Sequence, residues 1–526
     1  MVAGALSAVL LAISMQATTG KPVPTAIVVT HEGPVRGFKQ AGTDAFLGIP
    51  FAAPPVGDLR WRPPAPVAPW VKPLDAVAFG GRCVQTNTFG VFAAPSENED
   101  CLYLNVFSPN RASAPSDRGR AKRPDLRPVM VWIHGGGFFD GESNDYDGTG
   151  LAVEGDVIAV TINYRVNVFG FLGHPALDAE GHATVSYGLM DQQAALRWVQ
   201  RNIGAFGGNP DNVTIFGESA GGTSVLFQLA SPAAAGLFHR AIVHSPAYAP
   251  AQATLADAET RGRQFGAALG CDDHSAACLR SRSVRDIIAK AAGFVGGGPV
   301  RAVDGTIVAQ NMGTAFTSGQ FNRVPVVIGN NLNEQTWFIG MNEIAAGEPL
   351  SAASYAERIR ASYGADASKV LAQYPLGDYP SPSEALSAAT TASGFACGTR
   401  RAIRLLAPHV RTWAYEFRDR TAPFYFPRAS FTYGAGHTLE LQYLFPGFHG
   451  ATGVPQPLTA AQRRLSRAML GDWTSFARNG DPNTPGAPLW APYDEQRDNY
   501  QSLEPPNPRE TLDFSSVHKC AFWDAL

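Results

Sequence analysis

The chain has 526 residues, 45% of them apolar and 17% charged, with a formal charge of −3. That balance belongs to a soluble globular protein with a large core, and it argues against a collagen-like or disordered chain. Near-neutral charge without a basic block argues against a nucleic-acid partner or an acidic membrane surface.

At the N-terminus, Ala5-Leu6-Ser7-Ala8-Val9-Leu10-Leu11-Ala12-Ile13 is an apolar run that ends in small residues. It is too short to span a bilayer and reads as the apolar part of a signal peptide within residues 1–17, although no Lys or Arg precedes it. No other stretch approaches transmembrane length, so the expectation is a secreted or periplasmic protein without a stable membrane anchor. Six cysteines follow: Cys83 and Cys101, Cys271 and Cys278, and the distant Cys397 and Cys520. Composition does not pair them. An even set suits an oxidising compartment, with buried reduced thiols as the alternative. No Cys/His cluster has metal-ligand spacing, so neither metal nor cofactor is expected.

Residues 110–127 are rich in Pro, Ser and Arg and read as an exposed loop. Beyond them, short apolar runs at 128–133, 157–162 and 213–216 predict buried strands. Helical spacing is expected over 187–202 and 220–229, and further strands at 240–244, 325–328 and 413–417. From 340 to 396 the pattern turns helical and weakly apolar, as for a cap. Strands alternating with helices predict an α/β fold over residues 18–526: a large, mostly parallel sheet flanked by helices, with a helical cap subregion.

Gly217-Glu218-Ser219-Ala220-Gly221 directly follows one predicted strand and directly precedes a predicted helix. That context turns a common pentapeptide into a nucleophile elbow, with Ser219 exposed on a sharp turn and glycines on either side sparing a clash. His134-Gly135-Gly136-Gly137 follows another strand, and the amides of Gly136, Gly137 and Ala220 are the candidate donors to an oxyanion. A serine needs a base. In the chain order of this kind of hydrolase the histidine comes last, which leaves His239, His244, His274, His409, His437, His449 and His518. His437 stands out for its small-residue loop, Tyr433-Gly434-Ala435-Gly436. Glu334, just beyond a predicted strand, stands where an active-site acid is built, at the strand's carboxyl end. A surface histidine and a solvated glutamate remain the plain alternatives for both.

These residues, in this order, resemble the type-B carboxylesterases, which include cholinesterases and bacterial broad-range esterases. The likeness runs from about Val28 to Trp523. It includes Gly48-Ile49-Pro50-Phe51, Glu99-Asp100-Cys101-Leu102, the glycine loop, Asn163-Tyr164-Arg165, the serine elbow, Val303-Asp304-Gly305 and Gly480-Asp481-Pro482-Asn483. The resemblance implies the α/β-hydrolase fold, a Ser219–His437–Glu334 triad and disulfides Cys83–Cys101, Cys271–Cys278 and Cys397–Cys520. It also implies that Glu218 supports the histidine. The chain departs from the family in two places. No tryptophan lies between Cys83 and Cys101, which speaks against choline esters, and the usual Gln-Ser-Gly is replaced by His244-Ser245-Pro246. Ser245 is still placed near the triad as a hydrogen-bonding residue.

The expected function is hydrolysis of small carboxylic esters through an acyl-enzyme. A lipase or amidase-like activity is the runner-up, and a non-catalytic binding homologue the distant alternative. Phe138, Phe139, Trp337 and residues 424–426 are expected to line an apolar pocket. Gly296-Gly297-Gly298, before Val303, are expected to widen the acyl site.

Overall fold

A computed structural model describes residues 23–86, 90–92, 94–110, 126–294 and 299–526. The expected leader, most of the expected loop at 110–127 and Gly296-Gly297-Gly298 lie outside the described residues.

The core is one 13-stranded sheet. Its main strands are β1 (Pro24–Val29), β2 (Pro34–Gln40), β3 (Thr43–Pro50), β4 (Tyr103–Pro109), β5 (Arg127–Ile133), β6 (Ile158–Ile162), β7 (Gly208–Glu218), β8 (Arg240–His244), β9 (Val326–Asn331), β10 (Thr412–Phe417), β11 (Tyr500–Leu503) and β12 (Arg509–Thr511). They lie in the order β1-β2-β3-β4-β6-β5-β7-β8-β9-β10-β11-β12. From β6 to β11 every neighbour runs parallel, whereas the β1–β4 side and the β12 edge are antiparallel.

The parallel strands are buried over most of their length because helices cover both their faces. Alternation assigns each residue to one layer. Val129, Val131 and Ile133 join the apolar cluster on one face, while Met130 and Trp132 join the other with Phe216, Ile242, Trp413 and Trp473. The predicted central strands and helices all form, and β7 begins earlier than its apolar run, at Gly208. The outer strands β1 to β4 and the last two, β11 and β12, were not expected. In β2, buried residues alternate with more exposed ones, as on an antiparallel strand with one wet face.

The helices that frame the site are α1 (Tyr187–Asn202), α2 (Ala220–Ala230), α3 (Gln335–Ala346), α4 (Pro382–Thr391), α5 (Cys397–Leu406) and α6 (Ala460–Asn479). Thr459 and Gln462 form a capping box at the start of α6, and Gly480 ends it at φ 72°. A π-turn, Ala392–Ala396, joins α4 to α5. It brings Phe395 within 5.2 Å of the His437 ring, so the predicted helical region does reach the site. The three expected disulfides are present, and no described cysteine is free. Among the described residues no helix is long and apolar enough to cross a membrane.

Candidate active site

The site is built at the carboxyl ends of β5, β7 and β9, where an open parallel sheet leaves its loops free to carry chemistry. Ser219 is the residue between β7 and α2 and holds φ 58°, ψ −120°. The sheet and helix tolerate this strained turn because Gly217 and Gly221, two residues to either side, lack side chains. A Cβ on Gly217 would come within 2.6 Å of the Ile133 carbonyl oxygen, and one on Gly221 within 2.0 Å of the same atom. The Ser219 amide donates to the His244 carbonyl at 3.0 Å, which ties the elbow to β8.

The glycine loop lies alongside. Gly136 and Gly137 adopt φ 100° and 61°, and a Cβ on Gly136 would stand 2.1 Å from the Asp140 carbonyl oxygen. This left-handed turn lines the same cavity as Ser219, and Ala220 N, the first helical amide, has no intrahelical acceptor. His134 is not a candidate base. It stacks on Tyr164 with its Nδ1 against the Gly135 carbonyl, and burial pushes it down to about 4.

The structure brings together Glu334, in the turn after β9, and His437, in the loop that follows β10. Asn333 N donates to the Ala435 carbonyl, and Asn331 Nδ2 donates to that of Gly436 at 2.7 Å. Thr336 Oγ1 donates to the Tyr433 carbonyl. These bonds fasten the small-residue loop to the turn that carries the acid. His437 Nδ1 then lies 2.5 Å from Glu334 Oε2, while Glu334 Oε1 accepts from Asn331 N at 2.6 Å. Both side chains are almost completely buried. The carboxylate therefore fixes the tautomer and orientation of the ring.

His437 Nε2 faces Glu218 Oε1 at 3.0 Å, and no hydrogen bond joins it to Ser219. Glu218 thus touches the histidine directly. Burial, reinforced by the Glu334 charge, holds its carboxyl well above the usual range. A third carboxylate, Glu440, completes the cluster and was not singled out from sequence. It follows His437 by three residues, a spacing that in a tight turn returns to the same side. Burial and the charges of Glu218 and Glu334 push it up to about 8. Ser245 follows β8 at φ 45°, with its amide donating to the Gly329 carbonyl, and its hydroxyl is buried without a hydrogen-bond partner. The expected hydrogen bond toward the triad is not made, because this strained turn leaves the hydroxyl facing no acceptor or donor.

Ser219 and His437 open into a narrow cavity of about 50 Å³ with Phe92, Tyr146, Trp337 and Phe338 as aromatic walls. Trp337 was foreseen, and the other three were not. Phe138 instead packs on Phe171 and under Arg301, and Phe424 and Phe426 pack on Tyr433. Both expectations fail for the same reason: aromatic side chains are large enough to be claimed by the core before a pocket. Among the described residues no group of three or more His, Cys, Asp or Glu side chains is arranged so that it could hold a metal ion.

Residues 24–523 match the model of the carboxylesterase family. The chain is 34% identical to an acylcarnitine hydrolase of Mus musculus, covering 94% of this chain and 90% of that one. It is 33% identical to a fumonisin B1 esterase of Sphingopyxis macrogoltabida, covering 90% and 85%. Among solved structures it superposes on a thermophilic PNB esterase with a TM-score of 0.78 at 30% identity, covering 94% of this chain and 99% of that one. The site geometry and these likenesses agree, and the chain belongs to the carboxylesterase family as a carboxylic ester hydrolase of the α/β-hydrolase fold.

Proposed function

We propose that Ser219, His437 and Glu334 carry out this hydrolysis in two steps through a serine ester. Ser219 Oγ attacks the carbonyl carbon while His437 Nε2 takes its proton, and the oxygen that becomes negative is held by the amides of Gly136, Gly137 and Ala220. The protonated His437, stabilised by Glu334, returns the proton to the departing alcohol. Water then attacks the acyl-serine with the same assistance and releases the acid. For the first step the imidazole must swing its Nε2 from Glu218 to Ser219, a small turn about the bond it makes to Glu334.

The observation that supports this reading is the 2.5 Å contact of His437 with Glu334 beside a serine held at φ 58°. An activated fluorophosphonate tests it directly. The adduct mass should appear on the peptide containing Ser219, and Glu334→Gln should slow labelling. Labelling confined to another residue contradicts the assignment. We also propose that the protein works outside the cytoplasm. Three disulfides support that location, since such bonds persist in oxidising compartments.

A further inference from the structure

At the position where the family resemblance leads to glutamine, β8 of this chain ends in His244. Strand register sets it opposite Glu218 on one side and Gly329 on the other. Its side chain is fully buried in a box formed by the rings of Trp132, Tyr415 and Trp473. Trp473 Nε1–H donates to His244 Nε2 at 2.9 Å. An indole nitrogen is only ever a donor, so Nε2 has to be the bare nitrogen and Nδ1 has to carry the proton. Burial pushes the ring down to about 3, so it stays neutral.

That fixed Nδ1–H points toward Glu440 Oε1 at 3.9 Å. Neither atom has another hydrogen-bond partner. Glu440 Oε2 already accepts from Asn331 Nδ2 at 2.5 Å. A glutamate's last torsion is broad, so a modest rotation turns the contact into a hydrogen bond. Both oxygens then face donors, and a proton placed on either would meet another proton rather than an acceptor.

We propose that His244 is a positioning residue: locked by Trp473 as the Nδ1–H tautomer, it presents a permanent donor to Glu440 and keeps that carboxylate charged behind His437. The proposal rests on His437 being the base. The groups that bear on Glu440 are Glu218 from β7, Glu334 after β9, His437 on its own loop, His244 from β8, Tyr415 from β10 and Tyr425 from the loop that follows. Glu218 and Glu334 oppose a charge on Glu440. Asn331 and His437 favour it but are outweighed as the side chains stand, and the hydrogen bond proposed from His244 is what tips Glu440 to the charged form. A charged Glu440 in turn favours the imidazolium that His437 becomes during the reaction. The glutamine of the family pattern at this position has no ring whose tautomer is set from behind.

Two measurements test this. In wild-type protein labelled with 15N-histidine, the His244 resonances should report a protonated Nδ1 and a bare Nε2 across the neutral range. The opposite tautomer overturns the proposal. Next, kcat/KM is followed against pH for His244→Phe and His244→Gln. Phenylalanine removes the donor, so Glu440 takes up a proton and His437 loses a stabilising charge. The acid limb should then move down by roughly 0.5 to 1 pH unit, with kcat lowered about tenfold. The glutamine amide accepts from Trp473 and donates to Glu440, so its limb should stay where the wild type has it. An unmoved limb in the phenylalanine variant, or an equal shift in both, overturns the proposal. If the phenylalanine variant does not fold, the wild-type tautomer and the glutamine limb decide. Fluorophosphonate labelling of Ser219 on the same samples separates failure of this proposal from failure of the catalytic reading.

Discussion

Ser219 is held in a conformation that costs a non-glycine residue of the order of 1–3 kcal/mol, and the surrounding strand and helix absorb that cost. Around it Glu218, Glu334 and Glu440 are buried together; burial and mutual repulsion push Glu218 and Glu440 up, so Glu334, in contact with Nδ1, is the carboxylate that most directly favours positive charge on His437 at the moment of proton transfer. The same physics acts without function at Asp472 in α6, which burial alone pushes up to about 7. Unfolded, this group titrates near ~3.9. Between the two values the native state keeps a proton that the unfolded state has lost, so stability falls as pH rises through that window. Asp472→Asn should therefore raise stability at pH 8 by on the order of 2 kcal/mol, and the gain should vanish at pH 4. Urea unfolding at both pH values checks this, and an equal gain at both would show that the charge is not the cause. The serine and its glycines were legible in the sequence because their context is chemical. Glu440 was not, because only the fold carries Asn331 to its side.

At the scale of elements, the site depends on three connections that nothing can thicken: the elbow, the glycine loop and the histidine loop. Gly221 is the tightest position, because its missing Cβ would meet backbone rather than a flexible side chain. Gly221→Ala should lower stability by about 3 kcal/mol or more, or prevent soluble expression. A denaturation midpoint like that of the wild type would mean that the elbow is looser than described. The parallel strands could be predicted because both of their faces are buried and their apolar runs are unbroken. The outer strands were missed for the converse reason: one wet face admits Arg36 and Gln40 into β2. The π-turn that delivers Phe395 to His437 leaves no trace in composition. It is one inserted residue's worth of helix, set by packing.

Across the whole molecule, Cys397–Cys520 ties α5 to the C-terminal helix Cys520–Asp524 over a sequence separation of 123. Closing so long a loop restricts the unfolded chain, by about 5 kcal/mol in the loop-entropy account. Replacing both cysteines with alanine should lower stability by an amount approaching that, while fluorophosphonate still labels Ser219 in the folded fraction. A variant as stable as the wild type would place the stabilisation elsewhere. The pairing was legible only through the family resemblance, since composition left the partners open. The order of the sheet was hidden for a similar reason, because strand neighbours are chosen by crossovers that span whole helices. In the proposed mechanism one serine, raised on one strained turn, carries the hydrolysis. The most direct measurement is kcat for p-nitrophenyl butyrate with wild type and Ser219→Ala side by side. The expected result is a loss of roughly 10⁴-fold or more with an unchanged fold. Equal rates in the two proteins would contradict it.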